Sequence, residues 1–266
     1  MKKTTQRLVN PFEYSDTNKR YYTFEYFCRK KYGGRCVKIP LDAGFTCPNI
    51  DGTCGHGGCI YCSPRGSGDS IPEMLSVREQ YNAGRAAMSA KWDVSRCIPY
   101  FQAHTNTYAP TYVLSRLFNE ALTYDSAIGL DIATRADCLP PDVCALLAEI
   151  AEKTDLTVEL GLQSSNDDTA RLIGRGHDFA AFRDGYARLR AASDKISVCV
   201  HIILGLPGED DEMMMQTVRD TAELHPEFVK LHLLHVLSDT ALSCMYRDGR
   251  YTPLTEEHYV SLVVSA

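Results

Sequence analysis

The chain has 266 residues, 44% of them apolar and 23% charged, which suffices for one large core of the size that α/β barrels reach as a single domain. No stretch approaches the roughly 20 apolar residues needed to cross a bilayer, and the N-terminal run MKKTTQRLVNPFEY has no apolar signal core. Eleven cysteines, an odd number spread mostly among apolar neighbours, speak against a disulfide framework and suit a reducing compartment; a cytoplasmic protein is expected, with neither membrane nor DNA as partner.

The net charge of −6 is unevenly placed. Residues 1–40 carry ten Lys/Arg against three acids, a balance of +7, and residues 41–266 carry the other 18 basic and 31 acidic residues, a balance of −13. The basic segment also holds Phe12, Tyr14, Tyr21, Tyr22, Phe24, Tyr26, Phe27 and Tyr32. Cations interleaved with aromatics suit a folded RNA, which needs phosphate neutralisation and stacking. They equally suit an amphipathic segment that packs its rings on the domain and solvates its charges. Residues 1–34 are therefore read as a basic aromatic extension and 35–266 as the core.

Apolar strand-like runs follow at 36–41 (CVKIPL), 97–103 (CIPYFQA), 128–133 (IGLDIA), 157–162 (TVELGL), 197–204 (SVCVHIIL) and 228–234 (FVKLHLL). Helical patterns lie between and after them, at 76–90, 111–123, 141–153, 179–192, 210–224 and 255–266. Asp178, the Pro140-Pro141-Asp142 run and Thr255 are start signals for three of these. Six consecutive βα units imply a parallel sheet covered by helices, either closing toward a barrel or opening as a doubly wound layer. In both forms chemistry gathers in the loops after the strands.

The loop after the first strand is the most informative. Within AGFTCPNIDGTCGHGGCIYCSPRG, Cys47, Cys59 and Cys62 are spaced Cys-x11-Cys-x2-Cys. Three thiolates can hold three corners of a cubic iron–sulfur cluster and leave the fourth iron open to a ligand. Tyr61, just before Cys62, offers a ring to a flat ligand beside it. Adding Cys54 gives four thiols, the set for a structural zinc site. Zinc knuckles, however, use two close pairs, and only Cys59 and Cys62 form one.

The remaining loops carry His104-Thr105-Asn106-Thr107-Tyr108, Thr134-Arg135-Ala136-Asp137, Gln163 to Asp167, Gly205-Leu206-Pro207-Gly208-Glu209, and His235 to Ser238. Each has two explanations. Gln163 is a ligand-binding residue or a polar strand cap. His201 points opposite to Val200 and Ile202, into a barrel lumen or as a satisfied core histidine. Arg135 and Asp137 serve a ligand or pair with each other. Gly205 to Gly208 form a tight turn or let backbone approach a purine. Met213, Met214 and Met215 read as core packing.

Six stretches together, KIPLDAGFTCPNIDGTCGHGGCIYC, YFQAHTNTYAP, IGLDIATRADCLP, VELGLQSSNDDTARLIGRGHDFAAF, HIILGLPGE and VKLHLLHVLSDTAL, resemble the radical S-adenosylmethionine superfamily. The closest branch is YhcC-like, related to the Elongator catalytic subunit and to oxygen-independent coproporphyrinogen oxidase. The resemblance implies an α/β fold, a partial (β/α)6 TIM-like barrel of the radical-SAM type. It implies that Cys47, Cys59 and Cys62 hold a 4Fe–4S cluster, whose open iron is chelated by S-adenosylmethionine. Tyr61 would then lie against the adenine, and Thr105, Asn106 and Thr107 would stand where the family holds the methionine amino group. Gln163 and His201 match cofactor-contacting barrel positions, and Leu206 and Gly208 belong to the adenine-side turn. Asp137, His104 and His235 are the candidates facing substrate.

The implied chemistry is one-electron cleavage of S-adenosylmethionine, fed by a reductant protein of flavodoxin or ferredoxin type, to give a 5′-deoxyadenosyl radical. The expected substrate is a wobble-uridine side chain of tRNA, with carboxymethylaminomethyl-uridine converted to aminomethyl-uridine as the specific step. A radical oxidoreductase acting on a small molecule and a metal-stabilised, non-enzymatic binding protein are the alternatives. The sequence departs from the branch in three places. Position 54 is usually apolar, so Cys54 reads as a chance thiol. Position 104 is usually tyrosine. The family runs on beyond YVSLVVSA, so a C-terminally short barrel is expected.

Overall fold

The computed structural model describes residues 12, 15, 19–72 and 75–266. Lys2, Lys3, Arg7, Glu13, Tyr14 and Asp16 of the basic segment lie outside the described residues. Six strands, β1 (Val37–Leu41), β2 (Cys97–Phe101), β3 (Gly129–Thr134), β4 (Asp155–Gln163), β5 (Ile196–Leu204) and β6 (Phe228–Leu233), pair in parallel in chain order. The order has no reversal, so the sheet is not doubly wound. All six predicted strands are present, with ends within two residues or so.

The sheet is strongly curled. In a flat sheet β1 and β6 would lie about 24 Å apart, at about 4.8 Å per strand. Instead Lys38 of β1 and Lys230 of β6 each place Nζ 2.6 Å from the Glu159 carboxylate of β4. The inward face thus encloses a lumen. The outward face alternates with it, as pleating requires: Ile39, Leu130, Ile132, Val158, Leu160, Val198 and Val200 are all fully buried under the helices.

The helices are α1 (Phe24–Tyr32), α2 (Val77–Ser89), α3 (Thr111–Ala121), α4 (Pro141–Ala151), α5 (Asp167–Leu172), α6 (Phe179–Ala192), α7 (Asp211–Glu223), α8 (Ala241–Arg247) and α9 (Glu256–Ser265). Their starts follow local chemistry. Ser76 and Glu79 form a reciprocal capping box on α2. Asp178 caps α6 by accepting from Ala181 N at 2.8 Å, and Thr255 caps α9 through His258 N at 3.2 Å. Pro140 offers no side-chain cap to α4, whose first position is Pro141. Met214 is buried, its Sδ accepts from Gly205 N at 3.1 Å, and Met215 packs against the same core, so core packing holds for these two of the three methionines.

Three helices went unread in the sequence. α5 and α8 have six and seven residues, too short to establish a 3.6-residue period. α1 lies inside the basic aromatic segment. It packs across the N-terminal ends of the strands, with Phe27 5.0 Å from the Phe228 ring and Phe24 5.9 Å from it. Lys31 Nζ and Tyr32 Oη reach Asp155, the first residue of β4, at 2.6 and 2.9 Å. For residues 24–32 the packing alternative therefore holds, while Tyr21 and Tyr22 remain exposed.

Candidate active site

The loop from Asp42 to Cys62 is folded by its own backbone. Cys47 O accepts from Ile50 N at 2.8 Å, Cys59 O accepts from Cys62 N at 3.0 Å, and Asn49 O accepts from Gly58 N at 2.9 Å. Gly57 and Gly58 take φ of +79° and +77°, a consecutive left-handed pair that side chains would resist. Cys47, Cys59 and Cys62 consequently wall one cavity of about 490 Å³.

The thiols fit a cluster better than a lone ion. The three sulfur atoms do not all lie within 4.8 Å of one another. A single zinc, with Zn–S bonds of about 2.3 Å, would gather them to about 4 Å; a cubane spreads its three ligands wider. Cys54 walls a separate cavity behind the loop, beside His56 and His177, so the four-thiol zinc arrangement is not what the fold builds. The surroundings favour thiolate at Cys59 and oppose it at Cys62, whose thiol is pushed up by its hydrogen bond to Cys59 and by burial. Asn49 Nδ2 donates to Cys59 Sγ at 3.4 Å, and Arg135 Nη1 lies 3.9 Å from Cys47 Sγ. A hydrogen bond from Cys62, with Arg175 nearby, holds the Cys59 thiol well below its usual range.

The predicted residues divide into two groups. Tyr61, His104, Thr105, Gln163, His201 and His235 all wall the thiol cavity. Gln163 does so at φ +74°, where a register shift between β4 and β5 re-aims it. Gly161 makes room, since a Cβ there would meet Gln163 Nε2 at 2.6 Å. Burial pushes His104 down, toward the neutral form.

Asn106, Thr107, Asp137, Leu206 and Gly208 do not wall that cavity. Asn106 Nδ2 is taken by the carbonyls of Phe101, Ala103 and Ala133 at 2.9–3.1 Å. Thr107 Oγ1 is held by Thr134 Oγ1 and donates to Cys138 O at 2.6 Å. Asp137 is gripped by Arg135 through a two-point fork at 2.9 and 2.7 Å, so the loop-pairing alternative describes it. Leu206 is buried in an apolar cluster with Ile173, Leu234 and Leu242, against which Tyr61 packs. Gly208 supplies a φ of +84° to the turn before α7.

Other residues join the cavity without having been singled out. Arg175 is buried beside the thiols and its Nε has no hydrogen-bond partner. In the lumen, Glu159 is fully buried and accepts from four donors: Lys38, Lys230 and Tyr100 at 2.6 Å and His201 Nε2 at 2.9 Å. Burial opposes its charge, but His201 and Lys38 win and hold it well below the usual carboxylate range. For the lumen residues the signal was a lone charge inside an apolar strand run: Lys38, Glu159 and Lys230.

Three thiolates at the mouth of a six-stranded partial barrel define an iron–sulfur enzyme scaffold of the radical type. Two family models fit the chain: Radical SAM superfamily over residues 49–221 and Radical_SAM C-terminal domain over residues 226–266. The chain belongs to the radical SAM superfamily. Members of that superfamily use a 4Fe–4S cluster and S-adenosylmethionine, and these are its cofactors.

YtqA from Bacillus subtilis is 46% identical over 255 residues, spanning 96% of this chain and 79% of the relative. YhcC from Escherichia coli is 35% identical over 231 residues, spanning 86% and 73%. A tRNA uridine(34) acetyltransferase from Dehalococcoides mccartyi is 34% identical over 132 residues, spanning 47% and 27%. Among solved structures, archaeal Elp3 from Methanocaldococcus infernus superposes with a TM-score of 0.61 at 17% identity, over 86% of this chain and 52% of that one. Coproporphyrinogen III oxidase (HemN) from Escherichia coli gives 0.55 at 16% identity, over 86% and 51%. The chain spans about half the length of these two structures, and the likeness is one of fold. Among the described residues no helix is long and apolar enough to cross a membrane.

Proposed function

We propose that this radical SAM enzyme acts on a modified wobble uridine of tRNA, removing the carboxymethyl group from the nitrogen of a carboxymethylaminomethyl side chain to leave aminomethyl-uridine. The observation that carries the RNA assignment is the 34% identity over 132 residues to a tRNA uridine(34) acetyltransferase. Cys47, Cys59 and Cys62 would hold the cluster. Thr105, Gln163 and the buried Arg175 share their cavity and would orient S-adenosylmethionine. The Arg175 guanidinium suits a carboxylate, which it can meet with charge-assisted hydrogen bonds. When bound, the two cofactors supply a carbon-centred radical that takes a hydrogen atom from a C–H bond, and a metal centre able to take up the electron left behind. Oxidation of the carbon next to nitrogen by two electrons, followed by hydrolysis, would release glyoxylate. His104 and His235, which wall the same cavity, would face the substrate, and the partners would be tRNA and a flavodoxin- or ferredoxin-type reductant.

The deciding experiment compares the modified nucleosides of a deletion strain with wild type. Accumulated carboxymethylaminomethyl-uridine is the expected result, and unchanged wobble uridines would remove the RNA assignment. One observation favours a small-molecule substrate instead: α1 closes the N-terminal end of the barrel and places the basic aromatic residues 24–32 there, away from the thiol loop. A radical oxidoreductase on a small acid would show no tRNA shift at low salt and a tight metabolite complex.

A further inference from the structure

The lumen holds charged groups that the proposed chemistry leaves unassigned. Four donors fill the Glu159 carboxylate, about the capacity of such a group. Lys38 is committed as well, since it also meets Asp131 at 2.5 Å. These groups satisfy one another. Lys230 and His232 do not. Lys230 has three N–H donors and Glu159 accounts for one; its side chain is 34% exposed and walls the cavity. His232 lies two residues further on the same face of β6 and walls the same cavity, with a buried Nε2 that has no hydrogen-bond partner. Its ring stands 5.0 Å from that of His201.

A buried ionic network of this kind is a poor stabiliser, because apolar filling of similar volume is often neutral or better. Its presence on a cavity wall points to a ligand. A metal cation is the wrong one. Glu159, Cys199 and His201 do stand close enough to share an ion, but two ammonium groups already sit on Glu159, and burial pushes the Cys199 thiol up to about 12. The unspent capacity consists of ammonium donors beside an imidazole nitrogen. Burial, with His201 and Lys230 nearby, pushes His232 down to about 4, so the ring is neutral near pH 7 and can present an N–H.

We infer that Lys230 and His232 form an anion subsite in the lumen that takes a carboxylate carried by the substrate. Lys230 donates charge-assisted hydrogen bonds and His232 donates a neutral one. The Glu159 network acts through Lys230, holding its ammonium in place while taking only one of its three protons. The inference deepens the RNA assignment and rests on it for the identity of the nucleoside; the carboxylate subsite itself is asserted for that nucleoside whether or not RNA carries it.

The test uses the anaerobically reconstituted holoenzyme and two pairs of probes. One pair is the anticodon stem-loop bearing 5-carboxymethylaminomethyluridine and its methyl ester. The other is the two free nucleosides. Affinity is read by fluorescence anisotropy for the stem-loops and by calorimetry for the nucleosides. The acid should bind about tenfold more tightly than the ester, a typical worth of a charge-assisted contact. The preference should vanish in Lys230→Gln, fall in His232→Phe and persist in Lys230→Arg; thermal melting of each variant certifies its fold. Acid preference among nucleosides without stem-loop binding removes the RNA assignment and keeps the subsite. Equal affinity of acid and ester in wild type, or a preference that survives Lys230→Gln, overturns the subsite whatever the RNA does. Failure of every probe to bind overturns both.

Discussion

At the N-terminal ends of the strands, α1 lays Phe24 and Phe27 on Phe228 and ties Lys31 and Tyr32 to Asp155. At the C-terminal ends, a glycine-rich loop shapes three thiols over an open cavity, with the Arg175 Nε on its wall buried and unpaired. The closed end is built from rings and rim ion pairs that find their partners within the chain. The open end keeps hydrogen-bonding capacity in reserve, at a cost in stability that a ligand can recover. Between them, the Glu159 network fixes the curl by drawing β1, β4 and β6 onto one carboxylate. A barrel of this kind separates what holds it together from what reacts.

The largest effect should come from the open end. Cys59→Ala should reduce anaerobically measured iron from about four atoms per chain to nearly none, whereas Cys54→Ala, in the cavity behind the loop, should keep the full content. Equal losses in both would mean that the cluster does not rest on the three-thiol set.

The network should come next. Glu159→Gln removes the counter-charge shared by Lys38, which keeps Asp131, and the partly exposed Lys230, and should cost about 3 kcal/mol, the low end for a broken buried pair, in urea unfolding at pH 7. The sign of its pH dependence follows from the depressed carboxyl. In the unfolded chain a glutamate titrates near about 4.3; in the folded protein Glu159 is held below that. Its contribution is therefore complete above that pH and drains away as pH falls. The gap between wild type and variant should narrow from about pH 6 to about pH 3. Asp131, which burial pushes up, works in the opposite sense and is present in both proteins. A gap that widens in acid would contradict the ionised network.

Gly185 of α6 faces the turn between β3 and α4, where a Cβ would come within 2.0 Å of Ala136 O. Gly185→Ala should cost about 1–3 kcal/mol and disturb the adjacent Arg135–Asp137 fork. At the closed end, Phe27→Ala should cost about 2 kcal/mol, less than a core ring because Phe27 is only partly buried, and should leave the iron content of the open end unchanged. A loss of iron in this variant would show that the two ends are coupled. The smallest change expected is that of Asp155→Asn, which breaks a rim pair with Lys31 and should shift stability by under about 1 kcal/mol, an effect that added salt diminishes.

The amino-acid sequence by itself determined the six strands, most of the covering helices and the three-thiol loop, because each is written in local terms: an apolar run, a 3.6-residue period, a capping side chain, a fixed cysteine spacing. It also carried the motifs that mark the superfamily. Tertiary structure alone decided which neighbours in His104-Thr105-Asn106-Thr107 face the cavity: Asn106 and Thr107 are drawn inward by the carbonyls of Phe101, Ala133 and Cys138, partners that no local pattern names. It alone brought Lys38, Asp131, Glu159 and Lys230 from four strands into contact. Each is a lone charge in an apolar run, tolerable in the interior only when curling supplies its counter-charge from far along the chain.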